Sequence, residues 1–165
     1  METPDETTIY ALKKAKENRC TTILNPAPAR KIDEENFKLI DFFTPNETEA
    51  AFYLNKNIKT EIDIKDAGSK LLKKGVKNVI ITLGEKGVYF ANNEENFFIS
   101  AFNLKQPVLD TTGAGDAFNG ALSVGLANNL KIKEALTFAN KIAGISTTKL
   151  GAAASMPFKK DLVNY

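Results

Sequence analysis

Val79-Ile80-Ile81-Thr82-Leu83 constrains this chain most. The run is apolar but for one threonine, and it is rich in β-branched side chains. It is too short for a helix and shows no alternation, so it predicts a strand covered on both faces, as in a parallel sheet. Parallel strands need long crossover connections, usually helical. The flanking sequence supplies them. Helices are predicted over Thr7–Asn18, Asp33–Leu39, Asn46–Leu54 and Ile64–Lys74, with strands at Thr21–Leu24 and Ile40–Phe43 between them. Val88–Ala91 and Asn96–Ile99 read as a hairpin around Asn92-Asn93. Later helices are predicted from the Asp110–Phe118 stretch to about Asn128 and from Ile132 to Ser146, before a small-residue loop (Lys149–Pro157) and a tail, Lys160–Tyr165. Strands alternating with helices predict an α/β fold, a largely parallel sheet flanked by helices, in one domain over residues 1–165.

Composition narrows the chemistry. The net charge is +2 in 165 residues, which argues against a nucleic-acid footprint. No apolar run approaches membrane-spanning length, the opening does not read as a signal peptide, and the single cysteine cannot pair within the chain. A cytoplasmic location is therefore expected. Histidine is absent, so any acid–base work falls to carboxylates, lysine or tyrosine.

Asp110-Thr111-Thr112-Gly113-Ala114-Gly115-Asp116-Ala117-Phe118 follows a short apolar run and opens a helix whose Phe118, Ala121, Leu122 and Gly125 share one face. The first N–H groups of a helix lack intrahelical partners and carry partial positive charge. Gly113 and Gly115 let a ligand approach them, which makes an anion pocket with Asp116 beside it, placed to accept a proton from an attacking hydroxyl. A plain glycine turn with Asp116 near the helix start as a cap is the competing reading. Neither a P-loop nor a dinucleotide fingerprint is present, since Phe118 stands where a third glycine is needed. Ligands on such sheets sit beyond the carboxyl ends of the strands, where the loops at Asn25, Asn46, Thr82–Gly87 and Asp110–Asp116 are expected.

Four segments together resemble one family, the ribokinase-like (phosphofructokinase B-type) carbohydrate kinases. Asp110–Asp116 is similar to its C-terminal signature. Asn25-Pro26-Ala27-Pro28-Ala29-Arg30, Thr44–Ala50 and Ile81–Gly87 are similar to its ribokinase branch. The resemblance covers the whole chain but only the C-terminal, nucleotide-binding half of the family's fold. Met1-Glu2 resembles the end of a family strand whose glutamate contacts the sugar, so an internal start or a truncation is the expectation, with Glu2 as a substrate contact.

The resemblance implies ATP-dependent phosphorylation of a sugar hydroxyl, with ribose as the sugar. It implies that Asp116 is the catalytic base and that the N–H groups of Gly113, Ala114 and Gly115 hold charge on the transferring group. Asn46 would lie near the phosphates and Glu49 near Mg²⁺, although Asn-x-x-Glu is also a capping box. Thr82, Leu83, Gly84, Glu85, Lys86 and Gly87 would line the nucleotide, against a simple turn requiring glycine. Asn140 would lie near the adenine, or else be a solvated helix position. A monovalent-cation site for K⁺ would draw on Asp110 and Thr112 and on Ser146, Lys149, Gly151 and Ser155, mostly through carbonyls. Asp110 as a turn residue is the alternative. Two further expectations follow from a half-fold: an uncovered sheet edge promoting homodimers or aggregates, and no sugar phosphorylation by the chain alone. A non-catalytic nucleotide-binding module, and a kinase of another sugar or a nucleoside, remain the other readings.

Overall fold

Parallel pairing is realised around the run at 79–83. The computed structural model describes residues 1–164; Tyr165, the end of the expected tail, lies outside the described residues. Strands β1 (Ile23–Leu24), β2 (Phe42–Phe43), β3 (Asn78–Thr82), β4 (Val88–Ala91) and β5 (Asn96–Ile99) form one sheet in that spatial order. β1 pairs with β2 and β2 with β3, both parallel, with Ile23 opposite Phe42 and Phe43 opposite Val79. The connections from β3 to β4 and from β4 to β5 are too short for parallel crossovers, so the sheet is mixed. Val79, Ile80 and Ile81 are each 0% exposed, as a strand covered on both faces requires.

The chain divides into two compact units. Met1–Leu83 with Tyr89–Phe98 forms the first, and Gly84–Val88 with the residues from Ile99 onward forms the second. The first unit carries helices α1 (Asp5–Glu17), α2 (Glu47–Leu54) and α3 (Glu61–Lys73), and the short 3-10 helix Glu34–Leu39. Its core joins Phe37, Ile40, Phe43, Leu71, Val79 and Ile81. Tyr53 stands edge-on to both Phe37 and Phe43, at 5.9 and 5.2 Å between ring centroids. The Tyr53 hydroxyl donates to the Arg30 carbonyl at 2.7 Å. Burial pushes the Tyr53 phenol up to about 12.

One nearly buried charge binds this unit together. Asp41, with a side chain 11% exposed, receives Lys16 at 2.5 Å and Lys77 at 2.8 Å. It also accepts from the Thr22 N–H at 3.0 Å and the Thr22 hydroxyl at 3.1 Å. Burial alone would raise its carboxyl. The two lysines and Thr22 outweigh that and hold it well below the usual carboxylate range.

The second unit is built on α4 (Ala114–Ala127) and α5 (Ile132–Ser146), which pack against each other. Small residues allow their close approach. A Cβ on Gly125 would lie 2.9 Å from that of Ala135. Residues 101–113 form neither helix nor strand, so it is a loop that leads directly into α4. Helix α3 starts earlier than expected, at a Thr60–Asp63 capping box that the apolar spacing alone does not reveal.

Candidate functional site

In the second unit, the start of α4 has an unusual cap. Gly113 occupies the N-cap position in the left-handed region, φ +76°, with no side chain capping the helix. Only glycine suits this site. A Cβ would fall 3.1 Å from the Ala152 Cβ and 3.2 Å from the Met156 Cε. The Ala114 N–H turns back to the Thr111 carbonyl at 3.2 Å, and the Ala117 N–H begins the helical ladder. Among the described residues, no backbone acceptor takes the Gly115 or Asp116 N–H. Donors of this kind at a helix start suit an anion. Asp116 is exposed in the first turn, and no described group hydrogen-bonds its carboxylate. It therefore does not cap the helix.

Asp110 stitches two loops together. One carboxylate oxygen accepts from the Thr112 N–H and the other from the Gly151 N–H, each at 2.9 Å. The Thr112 hydroxyl and N–H, then the Gly151 N–H, hold its carboxyl below the ordinary value. The Leu109 and Asp110 N–H groups donate to the Thr147 carbonyl at 2.8 and 3.2 Å, completing the stitch. Thr147 is absent from the sequence-based candidates because its carbonyl, not its side chain, makes the link. Ser146 and Ser155 are buried, and each donates its hydroxyl within its own turn. No described donor reaches the carbonyls of Thr112, Lys149 or Gly151. Such oxygens fit a hard cation held mainly by carbonyls.

Gly84–Lys86 forms a 3-10 turn, closed by the Gly87 N–H donating to the Gly84 carbonyl at 3.0 Å. Gly84 and Gly87 both have positive φ, at +56° and +100°. Glu85 and Lys86 point to solvent. Asn140 on α5 is neither free nor merely solvated: its amide donates to the Ser100 carbonyl at 2.7 Å.

In the first unit, the residues beyond β2 and β3 meet. Asn46 and Thr82 form a parallel bridge, and the Thr82 N–H donates to the Pro45 carbonyl at 3.0 Å. Leu83 is buried behind them. Asn46 caps α2, accepting from the Glu49 N–H at 2.8 Å, while a Glu49 oxygen accepts from the Asn46 N–H at 2.8 Å. The capping box is thus real, and it leaves the second Glu49 oxygen unused by it. Among the described residues no three His, Cys, Asp or Glu side chains gather as a metal cage. A Mg²⁺ ion near Glu49 would be held by this carboxylate, water and phosphate oxygens. Glu2 is exposed, and the Met1 amino group bonds the Asn25 and Ala27 carbonyls. No helix of the described residues is long and apolar enough to cross a membrane.

Comparison with known proteins gives the class. The family model described as pfkB family carbohydrate kinase matches residues 2–159, and the chain belongs to that family. Within it, the chain is similar to ribokinases. It is 37% identical over 163 residues to the Staphylococcus aureus ribokinase, covering 98% of this chain and 53% of that one. It is 41% identical over 156 residues to the Lactococcus lactis ribokinase, covering 94% and 48%. The structure of Arabidopsis thaliana ribokinase complexed with ribose and ATP matches with a TM-score of 0.90 at 33% identity, over 98% of this chain and 52% of that chain. The chain spans about half the length of the curated relatives it matches.

Proposed function

We propose that this chain carries the ATP site and the catalytic base of an ATP-dependent sugar kinase, with ribose as the sugar. The observation that carries this reading is the start of α4, where uncapped N–H groups stand beside an exposed, unbonded Asp116. Asp116 accepts the proton of the sugar's primary hydroxyl as that oxygen forms a bond to the γ-phosphorus and the bond to ADP breaks. The Gly113 and Gly115 N–H groups take up charge on the transferring phosphoryl, the Ala114 N–H being held by the Thr111 carbonyl, and positioning supplies the rest. Thr82 to Gly87, with Asn46 and Asn140, receive the nucleotide, and Glu2 faces the sugar. Mg²⁺ near Glu49 would neutralise phosphate charge, and K⁺ on the carbonyls around Asp110 would fix the loop.

The test joins this chain to the N-terminal half of the S. aureus ribokinase and compares it with its Asp116→Asn variant. Turnover should fall about 10²–10⁴-fold, the weight of a positioned general base. ATP affinity should change little, because the N–H pocket stays. Undiminished turnover would remove Asp116 from the reaction. The coverage of only about half of each relative favours a second reading for the chain alone, a module that binds ATP weakly and transfers nothing. An ATP–ribose coupled assay on the unfused chain separates the two: ribose-dependent ATP turnover would reject the second.

A further inference from the structure

A cavity of about 450 Å³ opens in the first unit between α3 and the β4–β5 hairpin. None of the residues assigned above to nucleotide, sugar or metal lines it. Lys65, Ser69 and Lys73 recur at i, i+4 and i+8 along α3, so they form one stripe facing the cavity. Tyr89 closes the floor from β4, and Asn92 and Asn96 flank the hairpin turn. No carboxylate lines the space, so the two lysines that line it meet no negative charge there. Neither Lys65 nor Lys73 has an ion-pair partner among the described residues; Lys65 instead sits 5.7 Å over the Phe98 ring.

Tyr89 is the second, independent observation. The residue is 2% exposed, yet its hydroxyl bonds no described group. No described side-chain oxygen is both fully enclosed and unpartnered, so that hydroxyl keeps some solvent access, and Tyr89 lines the cavity. The ring is held there by the absence of a side chain opposite: a Cβ on Gly68 would lie 2.7 Å from the Tyr89 Cε1. Burial also raises the phenol above its ordinary value, which keeps it a neutral donor.

We propose that this cavity binds a small phosphate monoester bearing free hydroxyls. The lysine pair takes the phosphate oxygens. Tyr89, Ser69 and the Asn96 amide offer donors and acceptors to hydroxyl groups, the mixture that separates an ester from a bare anion. The cavity volume lies within the range of small-ligand sites.

The test is isothermal titration of the full chain with inorganic phosphate, sulfate, glycerol 3-phosphate and ribose 5-phosphate. The two esters should bind more tightly than either inorganic ion. The double variant Lys65→Ala, Lys73→Ala should weaken the esters about tenfold or more, the usual weight of a charge-assisted contact. Tyr89→Phe keeps the ring against Gly68 and should weaken them severalfold, with an unchanged melting temperature as its folding control. Asp116→Asn should leave this affinity unchanged, which separates the cavity from the α4 pocket. Sulfate binding as tightly as the esters would mean an adventitious ion only and overturn the proposal. Binding that ignores the lysine and tyrosine variants, or no saturable binding at millimolar ester, would overturn it as well.

Discussion

Gly87→Ala should be among the most damaging single-methyl additions in this protein. At φ +100° an L side chain is strained whatever the space around it. That conformation costs about 1–3 kcal/mol. The space is also missing: the new Cβ would fall 2.0 Å from the Ile99 carbonyl oxygen and 2.6 Å from the Ala101 nitrogen. Both obstacles are backbone atoms, so no rotamer change relieves them, and forcing them apart adds about 1–3 kcal/mol. The sum is about 2–6 kcal/mol, or a melting temperature lower by about 5–20 °C in a chain of this size. Gly84→Ala is the internal control. Gly84 shares the turn and has φ +56°, but a Cβ there meets nothing within 4 Å. Only the left-handed conformation is charged, about 1–2 kcal/mol. Calorimetric melts of the two variants beside the parent separate the terms. Equal losses for Gly84→Ala and Gly87→Ala would refute the close approach of Ile99 and Ala101. If the turn also lines the nucleotide, Gly84→Ala should weaken ATP more than it weakens the fold.

Asp41 should set the acid limb of stability. Its carboxyl lies below the ordinary value in the folded state, so its contribution is present above the usual aspartate range and drains away as pH falls below about 4. Asp41→Asn should cost about 1.5–3 kcal/mol at pH 7 and flatten that limb; urea midpoints from pH 7 to pH 3 that run parallel in the two proteins would contradict this. In the fusion enzyme, K⁺ should raise turnover more than Na⁺ at matched ionic strength, and Asp110→Ala should abolish the difference; equal rates in K⁺, Na⁺ and Cs⁺ together with no response to Asp110→Ala would reject the cation site. The unfused chain should run as dimers or larger species, because β1 ends the sheet on one side and Val108, Leu109 and Leu150 are exposed. Light scattering after size exclusion reads this directly, and a stable monomer would contradict it.

Signals that act within a few residues were legible in the sequence. The β-branched run at 79–83 announced a buried parallel strand, and β3 is one. The spacing of Ala135, Leu136, Ala139 and Ile142 placed α5 at Ile132–Ser146. Asn46 and Glu49 spelled a capping box, and both of its hydrogen bonds form. Each of these rests on a 2.0- or 3.6-residue period or on a cap three residues long, so local chain geometry suffices. The glycines at 113 and 115 were equally visible, but a motif states only which residues are present. That Gly113 is left-handed and that Asp116 leaves its helix uncapped are facts of the folded backbone. The remaining features join residues far apart in the chain. Asp110 holds Gly151, Asn140 holds Ser100, Gly87 lies under Ile99, and Asp41 gathers Lys16, Thr22 and Lys77. No period or spacing encodes such pairs, because which loop meets which is settled only when helices and strands pack. Tyr89 shows the same division. Its place in an apolar hairpin strand was readable, whereas its free hydroxyl over Gly68 between two lysines exists only once α3 lies across the sheet.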